Sequence, residues 1–316
     1  MRIVFMGTPE FSVPSLEALC AAGHDVALVV TRPDARRGRG LRSTAPPVKK
    51  AALRLALEVY QPESMKRAEA LDRVRDVGPG LVAVVAFGEV LRPEVLAVPE
   101  HGCLNVHASL LPKYRGAAPI NWATIRGERE TGVTVQRMSP ELDAGPILAQ
   151  ESVAIGGNQT AGELHDRLCV LGAGVLADVV GRLDSGLPVA ERPQDSALAT
   201  AAPKLSKWDG RVDWAAAAEH IRNLVRGLTP WPGAVGRLVG EGGAQEVILL
   251  QVKVVPAGDP ACAPGTVLRA DGREGIIVRA GRDTVEVVKL KPASGRAMSA
   301  ADFVRGHKVR PGDRFE

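Results

Sequence analysis

The sequence predicts an α/β fold, a doubly wound and mostly parallel sheet of Rossmann-like type, followed by a smaller C-terminal OB-like β-barrel. Three observations predict it. Strand-like apolar runs alternate with helical stretches over the first two hundred or so residues, which favours a parallel sheet covered by helices on both faces. One run, LVAVVAF (Leu81–Phe87), is apolar without alternation, as a strand buried on both sides should be. Past residue 240 short β-branched runs recur, VILLQVKVV, GTVLRA, GIIVRA and DTVEVVKLK, separated by Gly, Asp and Pro turns, the spacing of a small barrel.

Taken in order, strands are expected at Arg2–Phe5, Asp25–Thr31, Leu81–Ala86, Gly102–His107, Val133–Met138 and Ile147–Val153, each an apolar or β-branched run. Helices are expected at Pro14–Ala22, Val48–Leu57 and Ala161–Leu183, and a later one at about Ala215–Arg226. The stretch SGLPVAERPQDSALATAAPKLSKWDGRVDW is proline-rich and helix-poor and reads as a connection. This places a first domain at 1–188, a linker at 189–206 and a second domain at 207–316.

Charge is distributed unevenly along the chain. Residues 31–50 carry Arg32, Arg36, Arg37, Arg39, Arg42, Lys49 and Lys50 against Asp34 alone. From Lys204 to the end there are eighteen Lys and Arg against thirteen Asp and Glu, so with a net charge of +4 the remainder is acidic. Such segregation fits a polyanionic partner that meets one loop and the C-terminal region. Two glycines interleaved with the arginines suggest that the loop is a mobile, basic element.

Other chemistries are disfavoured. The turn after the first strand, MRIVFMGTPEF, has Gly7 alone where a dinucleotide fingerprint needs three glycines for close approach to a pyrophosphate. There is no G-x-x-x-x-G-K-[ST] loop, hence no case for an ATP-consuming step. Cys20, Cys103, Cys169 and Cys262 are scattered, with no CxxC pair, and read as buried reduced thiols. The histidines lack ligand spacing, so no metal is expected. No run is long enough to span a membrane and the N-terminus lacks signal-peptide anatomy, so a cytoplasmic protein without a membrane partner is expected.

The segment GCLNVHASLLPKYRGAAP (Gly102–Pro119) begins as a strand and places Asn105 and His107 two residues apart, therefore on one face. Pro112 and Gly116 then mark a loop at the strand's carboxyl end, where open α/β sheets bind ligands. Phe87-Gly88 forms a second loop on the same edge. An Asn amide can stabilise a developing oxyanion and a His can carry a proton at neutral pH. Downstream, MSPELDAGPIL puts Asp143 before a Gly-Pro turn that can fold its carboxylate over the same edge. The trio suits acyl-group transfer. Ser109 sits in no G-x-S-x-G elbow, so direct attack by the substrate's own amine is simpler than a covalent intermediate.

NVHASLLPKYRGAAPINWATIRGERETGVTVQRMSPELDAGPIL resembles the signature region of the 10-formyltetrahydrofolate-dependent formyltransferases, and among them the methionyl-tRNA formyltransferases. GTPEF, VTRPD with GRG, VVAFG, KLSKWDGRVDW, PWPG and KPASGRAMSAADFVRG extend the resemblance over nearly the whole chain. It implies catalytic roles for Asn105, His107 and Asp143. It implies a tetrahydrofolate-binding segment at Ser109, Leu110, Leu111 and Pro112, with Gly88 in the loop beside the pterin. Arg36, Arg37, Arg39 and Arg42 fall in the loop that the family inserts at the acceptor end of the initiator tRNA, and 207–316 becomes a tRNA-binding domain. Ala144 and Pro146 stand where many members carry Thr and Asp.

What the resemblance implies is an enzyme that moves a formyl group from 10-formyltetrahydrofolate to the α-amine of methionyl initiator tRNA, for translation initiation; a monomer is expected. Asp143 would orient His107 and favour its charged form. Two alternatives remain open on sequence: a formyltetrahydrofolate hydrolase or small-molecule formyltransferase on the same fold, and a non-catalytic RNA-binding protein.

Overall fold

The computed structural model describes residues 1–37, 42–256 and 262–316. In chain order the first nine strands are β1 (Arg2–Gly7), β2 (Asp25–Val30), β3 (Ala35–Arg37), β4 (Arg42–Thr44), β5 (Val59–Tyr60), β6 (Leu81–Val85), β7 (Cys103–His107), β8 (Glu130–Arg137) and β9 (Ile147–Ala154). The first six helices are α1 (Val13–Ala21), α2 (Pro47–Arg54), α3 (Ala68–Val77), α4 (Pro93–Leu96), α5 (Pro119–Ile125) and α6 (Ala161–Asp184). Two compact units arise: Met1–Pro119 with Glu130–Ala154 and His165–Pro203, and Ile120–Arg129 with Ile155–Leu164 and Lys204–Glu316.

The first unit is built on a seven-stranded sheet in the order β5-β2-β1-β6-β7-β8-β9. The strands from β5 to β7 pair in parallel. β8 and β9 close the far edge antiparallel. All five residues of β6 are buried, which is why LVAVV carries no polar alternation. On one face Val4, Met6, Leu28, Val30, Val82 and Val84 pack with Ala70, Leu71, Val74 and Val77 of the amphipathic helix α3. Gly172 of α6 permits a close approach of helix to sheet. A Cβ there would stand 2.8 Å from Val106 Cγ1, so a glycine lets α6 lie directly on the strand that bears Asn105 and His107. β3 and β4 form an antiparallel ribbon with Arg36 opposite Ser43 and Arg37 opposite Arg42. Its base is tied down where Lys49 Nζ and Gln61 Nε2 donate to Asp34 Oδ1 at 2.9 and 2.8 Å.

The second unit is a nearly closed antiparallel barrel, as expected. Its strands are β10 (Ala234–Gly240), β11 (Gly243–Val255), β12 (Val267–Asp271), β13 (Gly275–Arg279), β14 (Thr284–Pro292), β15 (Met298–Ser299) and β16 (Arg314–Phe315), with helices α7 (Ala218–Gly227) and α8 (Ala300–Gly306). The order is β12-β13-β14-β11-β10-β16, and a bridge between Thr266 and Arg314 joins the two ends. Gly265 makes that closure possible, since at φ +87° a side chain there would strike the Phe315 carbonyl. Trp214, Leu238, Leu249, Ile276, Phe303 and Phe315 fill the interior.

A buried arginine gathers this unit's separate chain segments. Arg226 of α7 donates to the carbonyls of Gly156, Gln159 and Thr124 at 3.2, 3.3 and 3.4 Å and to Asn223 Oδ1 at 2.8 Å. Burial holds its pKa below the ordinary arginine value. Among the described residues no helix is long and apolar enough to cross a membrane.

Candidate active site

The site is assembled at the carboxyl end of β7, between parallel β6 and antiparallel β8. Alternation gives Asn105 and His107 a common face, as expected. Asn105 is half-buried, and its amide has no hydrogen-bond partner among the described residues. His107 is buried, and its Nε2 lies 2.8 Å from the main-chain carbonyl oxygen of Tyr114. A carbonyl can only accept, so the ring donates to it from Nε2.

The loop after β7 curls back on itself. Thr134 Oγ1, on β8, donates to the Ser109 carbonyl at 2.6 Å and accepts from Leu111 N at 3.1 Å. Gln150 Nε2 donates both to Thr134 Oγ1 and to the Leu111 carbonyl at 2.9 Å. Ser109 is fully buried and its hydroxyl donates to the Lys113 carbonyl at 2.6 Å, so that group is committed to holding the loop. Leu111 is buried, while Leu110 and Pro112 are half-buried. The chain reaches Tyr114 in the left-handed region at φ +63°, which turns its carbonyl towards His107.

Asp143 also has a left-handed backbone, at φ +51°, and its side chain is 11% exposed. Gly116 N donates to Oδ2 at 2.9 Å and Gln136 Nε2 to Oδ1 at 3.1 Å. Oδ2 is 3.7 Å from His107 Nδ1, within ion-pair reach but beyond hydrogen-bond distance. The turn that delivers the carboxylate is tight, because a Cβ on Gly145 would stand 1.8 Å from the Arg137 carbonyl oxygen.

Gly88 belongs to the neighbouring loop. It is exposed at φ +82° with open space where a side chain would go. The GTPEF segment and the serine after it fix this loop: Thr8 Oγ1 donates to the Phe87 carbonyl at 3.2 Å and Ser12 Oγ to the Val85 carbonyl at 2.6 Å. Of the basic loop, Arg36 and Arg37 lie in β3 and Arg42 in β4, whereas Arg39 falls outside the described residues.

Sequence reading overlooked four participants: the Tyr114 carbonyl, Arg115, Gln136 and Gln194. A buried glutamine in β8, register-paired with Asn105, was the one detectable signal, since a strand interior seldom carries an unpaired amide.

The Formyl transferase family matches residues 1–180, and its C-terminal domain family matches residues 204–308. A methionyl-tRNA formyltransferase of Pelotomaculum thermopropionicum is 45% identical over 312 residues, covering 99% of this chain and 97% of that one. This chain belongs to the methionyl-tRNA formyltransferase family. A second member, from Heliobacterium modesticaldum, is 45% identical over 320 residues and covers all of both chains. The sugar 3N-formyl transferase WlaRD, solved in the presence of dTDP and 5-N-formyl-THF, aligns with 94% of this chain and 99% of its own. At 15% identity and a TM-score of 0.66 it speaks for the fold. Membership makes the chain a formyl-transferring enzyme. The hydrolase, the small-molecule formyltransferase and the non-catalytic RNA-binding protein are not favoured.

Proposed function

We propose that this enzyme transfers the formyl group of 10-formyltetrahydrofolate to the α-amine of methionyl initiator tRNA by direct amine attack. The observation that carries the reading is the unpartnered Asn105 amide beside His107 and Asp143 at one sheet edge, on a chain whose family is the methionyl-tRNA formyltransferases. The neutral amine attacks the formyl carbon, and the carbonyl electrons move to oxygen. The Asn105 N–H and the protonated His107 Nδ1 stabilise that oxyanion. Asp143 pairs with the imidazolium across 3.7 Å. One amine proton passes, by way of a water, to N10 of the folate, which then leaves as the secondary amine.

Folate is held, on this reading, between the Gly88 loop and the Ser109–Pro112 turn. Gly88 supplies backbone approach without a side chain, and Leu110 and Pro112 supply apolar surface. Ser109 shapes the turn through Lys113. The tRNA engages the basic ribbon around Arg36, Arg37, Arg39 and Arg42 and the barrel domain. The enzyme works as a cytoplasmic monomer, in a first domain of residues 1–188 and a tRNA-binding domain of 207–316.

The test is to incubate the enzyme with 10-formyltetrahydrofolate and either initiator or elongator methionyl-tRNA. Formyl-methionine is expected with a strong preference for the initiator. Release of free formate without formyl-methionine would turn the reading to a hydrolase.

A further inference from the structure

We infer that Gln194 is a positioning residue for formyl transfer: it relays a hydrogen-bond chain from Arg115 and, through Gln136, sets the Asp143 carboxylate against His107. The inference rests on the proposed role of Asp143.

The chain has one polarity throughout. Arg115 offers only donors, and its Nη2 and Nε lie 2.8 and 3.2 Å from Gln194 Oε1. That fixes the orientation of the Gln194 amide, whose Nε2 then faces three acceptors. It lies 2.8 Å from the Asp143 carbonyl, 2.7 Å from the Gly145 carbonyl and 3.2 Å from Gln136 Oε1. The Gln136 amide is thereby fixed in turn, with Nε2 donating to Asp143 Oδ1 at 3.1 Å. Every link donates in the direction of the carboxylate. Aligned bonds of this kind reinforce one another, most where water is excluded, and Gln136 is fully buried.

The loop needs such ties. Asp143 has a left-handed φ without a glycine's freedom, and its neighbours Glu141 and Leu142 are exposed, with Glu141 paired to Arg115 Nη1 at 3.6 Å. Gln194 brackets the strained residue by holding the carbonyl of Asp143 itself and that of Gly145, two residues on. Gln194 is held from both sides. Arg192 pairs with Ile147 at the start of β9, and Thr200 to Ala202 run alongside Arg115 through the Arg115–Thr200 and Ala202–Arg115 backbone bonds at 2.8 and 2.7 Å. Residues in the stretch that reads as a connection thus reach back to the loop carrying Tyr114 and Gly116, the other donors and acceptors of the trio.

Two substitutions test the role. Gln194→Glu keeps an acceptor for Arg115 but has no N–H for the loop, and Gln194→Met removes both at similar length. Each is expected to lower kcat by about 10- to 100-fold, as small misplacements of reacting groups do, with KM for folate and tRNA little changed and thermal unfolding nearly unshifted. The decisive measurement is a double-mutant cycle with Asp143→Asn. If Gln194 acts through Asp143, either substitution changes kcat by no more than about twofold in that background. A full additional loss there overturns the inference, as does wild-type kcat in both single variants or failure of both to fold. Wild-type kcat in Asp143→Asn alone instead overturns the proposed role of Asp143.

Discussion

His107 Nε2 sits 2.8 Å from the carbonyl oxygen of Tyr114, while His107 Nδ1 faces Asp143 across 3.7 Å. A backbone acceptor, fixed by the left-handed φ of Tyr114, therefore sets which ring nitrogen is always protonated. The neutral ring should be the Nε2–H tautomer. Nitrogen-15 shifts of His107 in the free enzyme will read it, and an Nδ1–H tautomer would contradict the assignment of Nδ1 to the substrate side.

Asn105→Ala should fold normally and lose kcat by about 100- to 1,000-fold, the usual result of deleting one oxyanion donor. The side chain makes no hydrogen bond among the described residues and is half-buried, so its removal should barely move the melting temperature. A folded variant with wild-type turnover would remove the amide from the oxyanion role.

Much of this architecture was legible in the sequence because it rests on periodicity. The apolar run of β6, the Asn105-x-His107 alternation in β7 and the β-branched repeats of the barrel each follow from which faces are covered. The strand expected at Val133–Met138 runs instead from Glu130 to Arg137, because antiparallel pairing with β9 carries polar Glu130 and Thr131 into the sheet. The trio's residues could be named, but not their fastening. Gln194 lies 51 positions from Asp143 in a proline-rich stretch without periodic signal, and Tyr114 contributes through its main chain, which no side-chain pattern records. Contacts of long sequence separation made by single amides leave no local trace.

Gly145→Ala should damage the site through the backbone. The added Cβ would stand 1.8 Å from the Arg137 carbonyl oxygen, which is main chain and cannot swing aside. The Asp143 turn must move, at about 1–3 kcal/mol of strain and a loss of about 10-fold or more in kcat. Gly174→Ala is the control: it lies in α6 with nothing within 4 Å of its Cβ, so it should be neutral or stabilise by about 0.5–1 kcal/mol. Equal behaviour of the two variants in melting and turnover would refute the steric argument.

Cys103 stands two residues before Asn105, yet its thiol should be inert. Burial pushes its pKa up to about 12, against a weaker opposing pull from Arg137. Because the thiolate is the reactive form, at pH 8 only roughly one molecule in ten thousand would expose it. Iodoacetamide at pH 8 should leave Cys103 unmodified in the folded enzyme and alkylate it in denaturant, as peptide mass spectrometry will show. Rapid modification of the native protein at Cys103 would mean that β7 opens far more readily than its burial implies.

The basic ribbon offers the sharpest separation of binding from chemistry. Asp34 is bonded to Lys49 and Gln61 at the ribbon's base, so the one carboxylate of the segment already has its partners. Replacing Arg36, Arg37, Arg39 and Arg42 by Ala should weaken tRNA affinity and flatten its salt dependence, by up to about 0.7–0.9 log units of slope for every phosphate that an arginine no longer neutralises. Folate binding should not change, because Gly88 and the Ser109–Pro112 turn are positioned by Thr8, Ser12, Thr134 and Gln150. An arginine that reads the acceptor end instead of phosphate would show a different signature. Its single variant would lose preference for initiator over elongator tRNA with little change in salt slope, since base contacts release few counterions. Measuring kcat/KM for both tRNAs across a salt series distinguishes the two, and a quadruple variant indistinguishable from wild type would leave tRNA engagement to the barrel domain alone.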